Sequence, residues 1–217
     1  MTELFNRIPQ QKRNRILEAA VNEFATYGYE NANTNKIAKK AGISVGSLFQ
    51  YFESKEDLYQ TTVMLGTASI KTVLEDIMRG EEDIFLRLEK ILRTIQNHSR
   101  ENSNMIRLYN EMSTQSNSKL MCQTAEDLES LTAEIYSELI AKAQKDQNVR
   151  MDCDPKMFAF LLDNLFMMLQ FSYACDYYRE RFKIYVSDDI FAKDDFVVEQ
   201  TMNFIKAAIF NTTYSHP

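Results

Sequence analysis

A short segment near the N-terminus combines residue types that suit contact with a polyanion. Val45 to Phe52 is predicted to be one short helix in which Leu48 and Phe52 face inward, so the opposite face is small and polar. Gly46 costs about 1 kcal/mol in a helix relative to Ala, but its missing side chain lets the backbone approach a phosphate closely. Phe49 lies at the margin of this face. The outer residues, which suit a groove, are Val45, Gly46, Ser47, Gln50 and Tyr51.

Lys55 is a second sign of an anionic ligand. Ser54 is the predicted N-cap of the following helix, which places the Lys55 ammonium beside the positive end of the helix dipole. Because a lysine there opposes the dipole, an external anion explains it. Residues 7–55 contain eight basic and four acidic residues, a local charge of +4, whereas the whole chain carries −6. Any surface that faces a polyanion must therefore lie in this segment.

The helices that position this face are delimited by their own caps. An apolar stripe over Arg15–Tyr27 predicts a first helix, which Gly28 ends. Thr34 is the predicted N-cap of a second helix, closed by Gly42, and Ser44 is the predicted N-cap of the helix with the polar face. The turn between the last two is so short that they must cross steeply around a shared apolar contact, which predicts a helix-turn-helix.

The order of these residues resembles that of a known bacterial domain. The shared elements are Arg13-Asn14-Arg15-Ile16-Leu17-Glu18-Ala19-Ala20, then Phe24, Gly28 and Tyr29, then the run from Thr34 to Leu58. The segment from Lys12 to Tyr59, a little over a fifth of the 217 residues, resembles the DNA-binding domain of the TetR/AcrR family of transcriptional regulators. The ordered combination makes the signal specific, although each part alone is weak.

The resemblance implies a role for each residue of the polar face. Thr34 would bind a phosphate and Lys55 would neutralise another. Gln can pair bidentately with adenine in the major groove, Ser can contact a base or the backbone, and Val45 can contact a thymine methyl. The residues expected against base edges or backbone are Val45, Gly46, Ser47 and Gln50.

Several positions keep an alternative interpretation. Phe49 stands where the family usually has Tyr, so a phosphate-binding hydroxyl is absent, and Tyr51, where His is common, is its candidate substitute. Core packing is the favoured interpretation of Phe49. For Thr34 and Ser54, capping without any ligand remains open. A solvated face with non-specific attraction to DNA is favoured for Lys36, Lys39 and Lys40.

The rest of the chain is also predicted to be helical, so the fold class is all-α. Five Gly, three Pro and recurrent Leu, Ile, Met, Ala, Glu and Lys favour helices throughout. Further helices are predicted at about 58–78, 83–98, 104–113, 119–145, 154–185 and 194–210, with a polar loop at 113–118. The expected architecture is a three-helix DNA-binding domain over residues 1–56 and a larger helical effector-binding and dimerisation domain over residues 57–217, about nine helices in all.

The C-terminal domain is expected to form a homodimer and to bind a small molecule. The last two predicted helices have more apolar faces than a monomer needs, and the resemblance implies a dimeric four-helix bundle, hence a palindromic DNA operator. Repression is the family's commonest mode. A hydrophobic or amphipathic effector, such as an acyl compound, suits the many Met and aromatic residues. Glu111, Asp163 or Asp176 could instead attract a cation. Candidate pocket residues, for which plain core packing is the favoured alternative, are Met64, Met105, Tyr109, Met112, Phe166, Met167 and Gln170.

Other protein classes fit less well. An enzyme is disfavoured because the chain has two His, of which His98 suits a helix end, and lacks a Gly-rich phosphate loop or a nucleophile motif. The three Cys suit neither a disulfide framework nor a zinc site, so a reducing cytoplasm and no metal or cofactor are expected. Met157–Phe171 is expected to be too short and too polar to cross a membrane. A second class remains open, an effector-independent DNA-binding factor whose C-terminal bundle docks a protein partner.

Overall fold

The computed structural model describes residues 1–80, 83–114 and 119–210, with the side chains at 65–71, 78, 79, 114, 119–125, 127, 128 and 131 left out. Across those ranges the chain forms eleven α helices, one 3-10 helix and no strand, which confirms the all-α class. The helices are α1 Glu3–Arg7, α2 Gln10–Asn31, α3 Thr34–Ala41, α4 Val45–Tyr51, α5 Lys55–Arg79, α6 Ile84–Glu101, α7 Ser103–Thr114, α8 Lys119–Lys145, α9 Pro155–Ala174, α10 Asp176–Tyr185, the 3-10 helix Ile190–Ala192 and α11 Asp194–Ile209.

Most predicted helices are confirmed within a few residues, with clear differences near the N-terminus. Helix α1 was not predicted, and α2 begins at Gln10 rather than Arg15. Gly28 does break the helical path, with φ 70° and ψ 170°, but one further turn continues to Asn31. Of the predicted polar loop at 113–118, Ser113 belongs to α7, and residues 115–118 lie outside the described residues.

The prediction of a single long helix at 154–185 is wrong, because the helix is interrupted at Cys175. The backbone there is extended (φ −104°, ψ 131°), so α9 ends at Ala174 and α10 begins at Asp176. The guanidinium of Arg179 donates to the carbonyl oxygen of Tyr173 at 2.8 Å and supplies a partner that the helix end lacks. A side chain of the next helix thus stabilises this interruption, at which the sequence has no Gly or Pro.

The length and composition of α9 contradict the expectation that this segment is too short and too polar to cross a membrane. It extends to 20 residues, and by length and composition alone it is long and apolar enough to cross a bilayer. One face of α9 is nevertheless packed in a protein core, through Ala159, Leu162, Phe166, Leu169 and Tyr173.

The chain divides into two compact units. The first unit comprises Met1–Ser69 and Asn104–Ala125, and the second comprises Ile70–Ser103 and Glu126–Pro217. In the first unit, the ring of Tyr59 packs edge-on against Phe24 at 5.0 Å and Tyr29 at 5.1 Å. The functional division at residues 56 and 57 stays a prediction.

The second unit is built around α6, α9 and α11. Leu88, Ile91 and Leu92 of α6 are fully buried in its core. Polar contacts tie the same helices together, since the amide of Gln96 donates to the Tyr173 hydroxyl at 2.9 Å.

Candidate nucleic-acid interface

Two N-caps and one left-handed helix end set the limits of the helices in the helix-turn-helix. Asn33, not Thr34, is the N-cap of α3, because its side chain accepts a hydrogen bond from the Asn35 amide at 2.9 Å. Gly42 ends α3 in the left-handed conformation (φ 69°, ψ 36°), as predicted. Ser44 is confirmed as the N-cap of α4, since its Oγ accepts from the Ser47 amide at 3.0 Å. Thr34 is therefore the first helical residue, and its side chain is half-buried.

The inner faces of α3 and α4 form a small apolar core. The predicted inward direction of Leu48 and Phe52 is confirmed, because neither has any exposed surface. Phe5 of α1 covers them, with its ring centroid 4.8 Å from that of Phe52. The α3 residues that complete this core are Ile37, Ala38 and Ala41.

The outer face of α4 presents the predicted polar residues and one unexpected ring. Gly46 and Gln50 are exposed, and Val45 and Ser47 are half-buried. Core packing of Phe49 is wrong, because 43% of this residue is exposed. Since α4 has only seven residues, its apolar contacts are satisfied by Leu48 and the flanking Phe52, which leaves the Phe49 ring in solvent.

Tyr51 lies on the inner side rather than on the predicted outer face. Only 6% of the residue is exposed, and its ring packs against Phe5 at 6.1 Å between centroids. The ammonium of Lys12 donates to the Tyr51 hydroxyl at 3.0 Å. The unpredicted helix α1 supplies the covering side chain, which is why periodicity in α4 alone misplaced Tyr51.

Lys55 has an intramolecular partner that the sequence did not reveal. Its ammonium donates to the carbonyl oxygen of Glu30 at 3.0 Å and lies 5.0 Å from the centroid of the Tyr29 ring. Ser54 is confirmed as the N-cap, since its Oγ accepts from the Asp57 amide at 3.0 Å. The C-terminal turn of α2 therefore already explains a lysine at this helix start, and phosphate contact by Lys55 stays a prediction.

A buried carboxylate beneath α3 was missed by the sequence argument. Glu23 of α2 is only 1% exposed, and its Oε1 accepts from the Asn33 amide at 3.3 Å. Lys40 pairs with its other oxygen at 3.5 Å, so Lys40 is not merely part of a solvated face. Lys36 lies over the Tyr27 ring at 4.8 Å, and Lys39 is exposed. The sign of this burial in the sequence was that Glu23 occupies a position of the otherwise apolar stripe of α2.

The predicted effector residues divide between the two units. Met64 is half-exposed, and Met105 and Tyr109 are half-buried; all three belong to the first unit with Met112, which is 5% exposed. Phe166, Met167 and Gln170 belong to the second unit. Met112 and Phe166 are buried side chains, as their alternative interpretation required. Binding of a ligand by any of the seven stays a prediction.

A groove between α8 and α9 is a candidate ligand site within the second unit. Its volume is about 670 Å³. Of the predicted effector residues, Met167 lines it. Four carboxylates line it as well, Glu129, Glu134, Glu138 and Asp163, with Lys156 as a basic group. Burial raises the pKa of Asp163 to about 6, and the nearby Glu129 contributes.

His98, which the sequence suggested for a helix end, lies in the last turn of α6. Burial lowers the pKa of His98, whose Nδ1 lies 3.2 Å from the Asn102 amide nitrogen in the last turn of α6. Within the described residues, no three His, Cys, Asp or Glu side chains lie close enough together to hold a metal ion.

Known proteins resemble the chain in sequence and in fold. Residues 16–62 match the family model of bacterial regulatory proteins, tetR family. YdgC of Bacillus subtilis, an uncharacterised HTH-type transcriptional regulator, is 29% identical over 89 residues, which cover 39% of this chain and 46% of YdgC. The chain spans about half the length of such sequence relatives.

Solved structures extend the likeness to nearly the whole chain. A TetR family transcriptional regulator from Chloroflexus aurantiacus has a TM-score of 0.68 at 22% identity, with 97% of this chain and 98% of that one covered. FadR from Bacillus subtilis, solved in complex with stearoyl-CoA, has a TM-score of 0.68 at 19% identity, with 86% and 95% covered. At these identities the likeness shows the fold.

Proposed function

Because residues 16–62 match the family model of bacterial regulatory proteins, tetR family, we propose that the chain is a member of this family and a cytoplasmic, ligand-responsive transcriptional repressor. It binds a palindromic operator as a homodimer and leaves it when a small hydrophobic or amphipathic effector binds. The observation that carries the proposal is the capped helix α4, which presents Gly46, Phe49 and Gln50 to solvent.

The exposed face of α4 has the chemistry of a DNA-recognition surface, which we call the reading head. Gln50 recognises adenine by a bidentate pair, and Val45 contacts a thymine methyl. The missing side chain of Gly46 allows the helix to approach the DNA backbone. Thr34, Ser47 and Lys55 contact phosphates, which position the protein without carrying sequence information, and Tyr51 contributes through the Lys12 ammonium beside its hydroxyl.

The exposed Phe49 ring takes a role different from that of a tyrosine. With no hydroxyl it cannot donate to a phosphate. Its exposed ring instead contacts sugar or thymine methyl groups beside the recognition helix. This contact is apolar, so it adds little to the salt dependence of binding.

Dimerisation through α9 and α11 is supported by apolar side chains that a monomer leaves in water. Phe160 is 60% exposed, Leu161 50% and Phe204 66%. An exposed apolar face of this kind marks an interaction surface. A two-fold axis there pairs two reading heads, so the operator is palindromic.

The effector acts by favouring a conformation with altered reading-head spacing. A coupling of about 3 kcal/mol changes operator affinity roughly a hundredfold. FadR, whose fold is similar, was solved with stearoyl-CoA, which supports an amphipathic effector. Candidate contacts remain those predicted above, at Met64, Met105, Tyr109, Met112, Phe166, Met167 and Gln170.

A second candidate function keeps the DNA-binding head but replaces the small molecule with a protein partner. The observation that favours it is the outer face of α10, where Tyr177, Ile184 and Tyr185 are 74%, 82% and 75% exposed. Tyr177→Ser with Ile184→Ser would abolish regulation by a protein partner and leave regulation by a small molecule unchanged.

The proposed function is tested by selecting bound duplexes from a random DNA pool. The parent protein enriches a palindrome, and Gln50→Ala changes the base preference within each half-site by about 1–3 kcal/mol. The matched control is Gln147→Gly, because Gln147 is exposed in a loop with φ 59° that glycine accepts. No enrichment at low salt would reject the proposal.

The dimer is tested separately by light scattering on purified protein. Phe204→Asp buries a charge in the proposed interface and yields monomers that bind the palindrome weakly. Met151→Asp is the control, since Met151 is 68% exposed, like Phe204, but lies in the loop between α8 and α9. A Phe204→Asp protein that remains dimeric would place the interface elsewhere.

A further inference from the structure

We infer that Thr2 is a positioning residue for the reading head. Its hydroxyl and its backbone amide hold the last two carbonyl groups of α4, and this contact fixes the direction in which Gln50 points from the helix. Both residues belong to the first unit, so the contact is a property of that unit alone. Its consequence for DNA recognition rests on the proposed function.

The C-terminal end of α4 needs hydrogen-bond partners from elsewhere in the chain. The last carbonyl groups of an α helix have no partner within the helix. Whereas α3 ends in the left-handed Gly42, α4 ends at Phe52 in an extended conformation (φ −132°, ψ 131°), so its backbone leaves the helix without folding back over the carbonyls. With seven residues, α4 is also too short to be stable by itself.

Thr2 supplies these partners from a distant position in the sequence. Its hydroxyl proton is shared between the carbonyl oxygens of Gln50 at 2.9 Å and Tyr51 at 3.2 Å. Its backbone amide donates to the Tyr51 carbonyl oxygen at 2.9 Å. One residue thus satisfies the end of α4 from 48 positions away along the chain.

The hydroxyl of Thr2 contacts α4 instead of capping its own helix. Thr2 occupies the N-cap position of α1, where a threonine side chain usually accepts from an amide of the first turn. Within the described residues its side chain makes no such capping bond, and only the backbone contributes locally, because the Phe5 amide donates to the Thr2 carbonyl at 3.1 Å. A hydroxyl at this position is therefore explained by α4 rather than by α1.

Phe5 anchors the segment that carries Thr2. Its residue is 1% exposed, and its ring centroid lies 4.8 Å from that of Phe52 and 6.1 Å from that of Tyr51. Gln50 is exposed, so the place of its side-chain amide depends on the backbone whose carbonyl Thr2 holds. A recognition group that is ordered before contact loses less entropy on binding, which favours tight and selective contact with a base.

Matched substitutions at Thr2 test the inference on the full-length protein. Thr2→Val keeps the shape of the side chain and removes the hydroxyl, whereas Thr2→Ser keeps the hydroxyl. Thr2→Val should bind the enriched palindrome about threefold to tenfold more weakly, as expected for one lost hydrogen bond, and Thr2→Ser should bind it like the parent. The control is Thr26→Val, because the exposed Thr26 hydroxyl donates to the Asn22 carbonyl within α2 at 2.6 Å.

Base preference separates positioning from a purely structural role. In a structural role, Thr2→Val would weaken binding to every duplex by the same factor. In a positioning role, it should reduce the preference for the half-site base that Gln50→Ala identifies, by about threefold or more, and should have no further effect on that preference when Gln50 is already Ala. A uniform loss of affinity, or an affinity equal to that of the parent, would overturn the inference.

Amide hydrogen exchange tests the contact in the absence of DNA. The Phe52 amide donates to the Leu48 carbonyl at 3.0 Å in the last turn of α4. Thr2→Val should accelerate its exchange about threefold or more, and Thr2→Ser should not. Unchanged exchange in Thr2→Val would show that Thr2 does not hold the helix end. If no DNA sequence is enriched by the parent, the proposed function fails, yet faster exchange still establishes that Thr2 holds α4.

Discussion

Replacing Asp163 with Asn should stabilise the protein at neutral pH. Burial raises the pKa of the Asp163 carboxyl from 3.8 to about 6, with Glu129 adding to the effect. A shift of about 2 units corresponds to roughly 3 kcal/mol at most, and access of solvent to the groove reduces this to about 1–2 kcal/mol. Asn keeps the shape and removes the charge, so the free energy of unfolding should rise by about 1–2 kcal/mol at pH 7.5.

The raised pKa of Asp163 predicts how the effect of the substitution on stability changes with pH. Between pH 4 and pH 6 the folded protein binds the Asp163 proton more tightly than the unfolded chain does, so stability falls as the pH rises through this window. The penalty is complete above about pH 6 and absent below about pH 4. The difference between Asp163→Asn and the parent should therefore shrink when urea unfolding, followed by circular dichroism, is repeated at pH 5.

Asp194 is the matched control with the opposite sign. Hydrogen bonds from Arg100, at 2.5 and 2.6 Å, hold its pKa below the usual value. Asp194→Asn should destabilise the protein by less than about 1 kcal/mol at pH 7.5, because the pair is partly exposed, and the loss should fade as the pH drops below 4. If Asp163→Asn instead destabilises the protein at pH 7.5, the argument about an unpaired groove carboxylate is refuted.

Three further predictions concern the helix-turn-helix unit, and urea unfolding measures the change in stability for each. Gly28→Ala should cost about 1–3 kcal/mol, because φ 70° with ψ 170° suits only glycine and a Cβ would lie 2.7 Å from Glu111 Oε1. Gly46 lies in a helix, and a Cβ added there would lie 3.9 Å from Ser44 Oγ. Gly46→Ala should therefore stabilise the protein by about 0.5–1 kcal/mol yet weaken operator binding. Equal changes in stability at both glycines would contradict this. Lys40→Ala should cost about 1 kcal/mol, because it removes the partly exposed cation beside Glu23 Oε2 and leaves only the Asn33 amide as a partner of that carboxylate. Adding Glu23→Gln should recover most of this loss, and additive losses would show that the pair is not coupled.

Local chemistry explains why much of the reading head could be predicted from the sequence. The Ser44 cap and the Gly42 left-handed ending involve atoms within a few residues of one another, so each residue type carries its own structural consequence. The same holds for Ser54 and for the Asp83 and Asp154 caps of later helices. The order of these signals was enough to predict the helix-turn-helix and the all-α fold.

Contacts between distant residues decided the remainder. The position of Tyr51 depends on whether α1 covers that side of α4, which the periodicity of α4 cannot tell. The break at Cys175 depends on an Arg179 side chain reaching back to a carbonyl in the preceding helix. The sequence by itself determined most of the helices and the helix-turn-helix, because these follow from short-range hydrogen bonds and apolar periodicity. Only the tertiary structure decided which polar groups are buried, as at Glu23, because burial depends on neighbours far away along the chain.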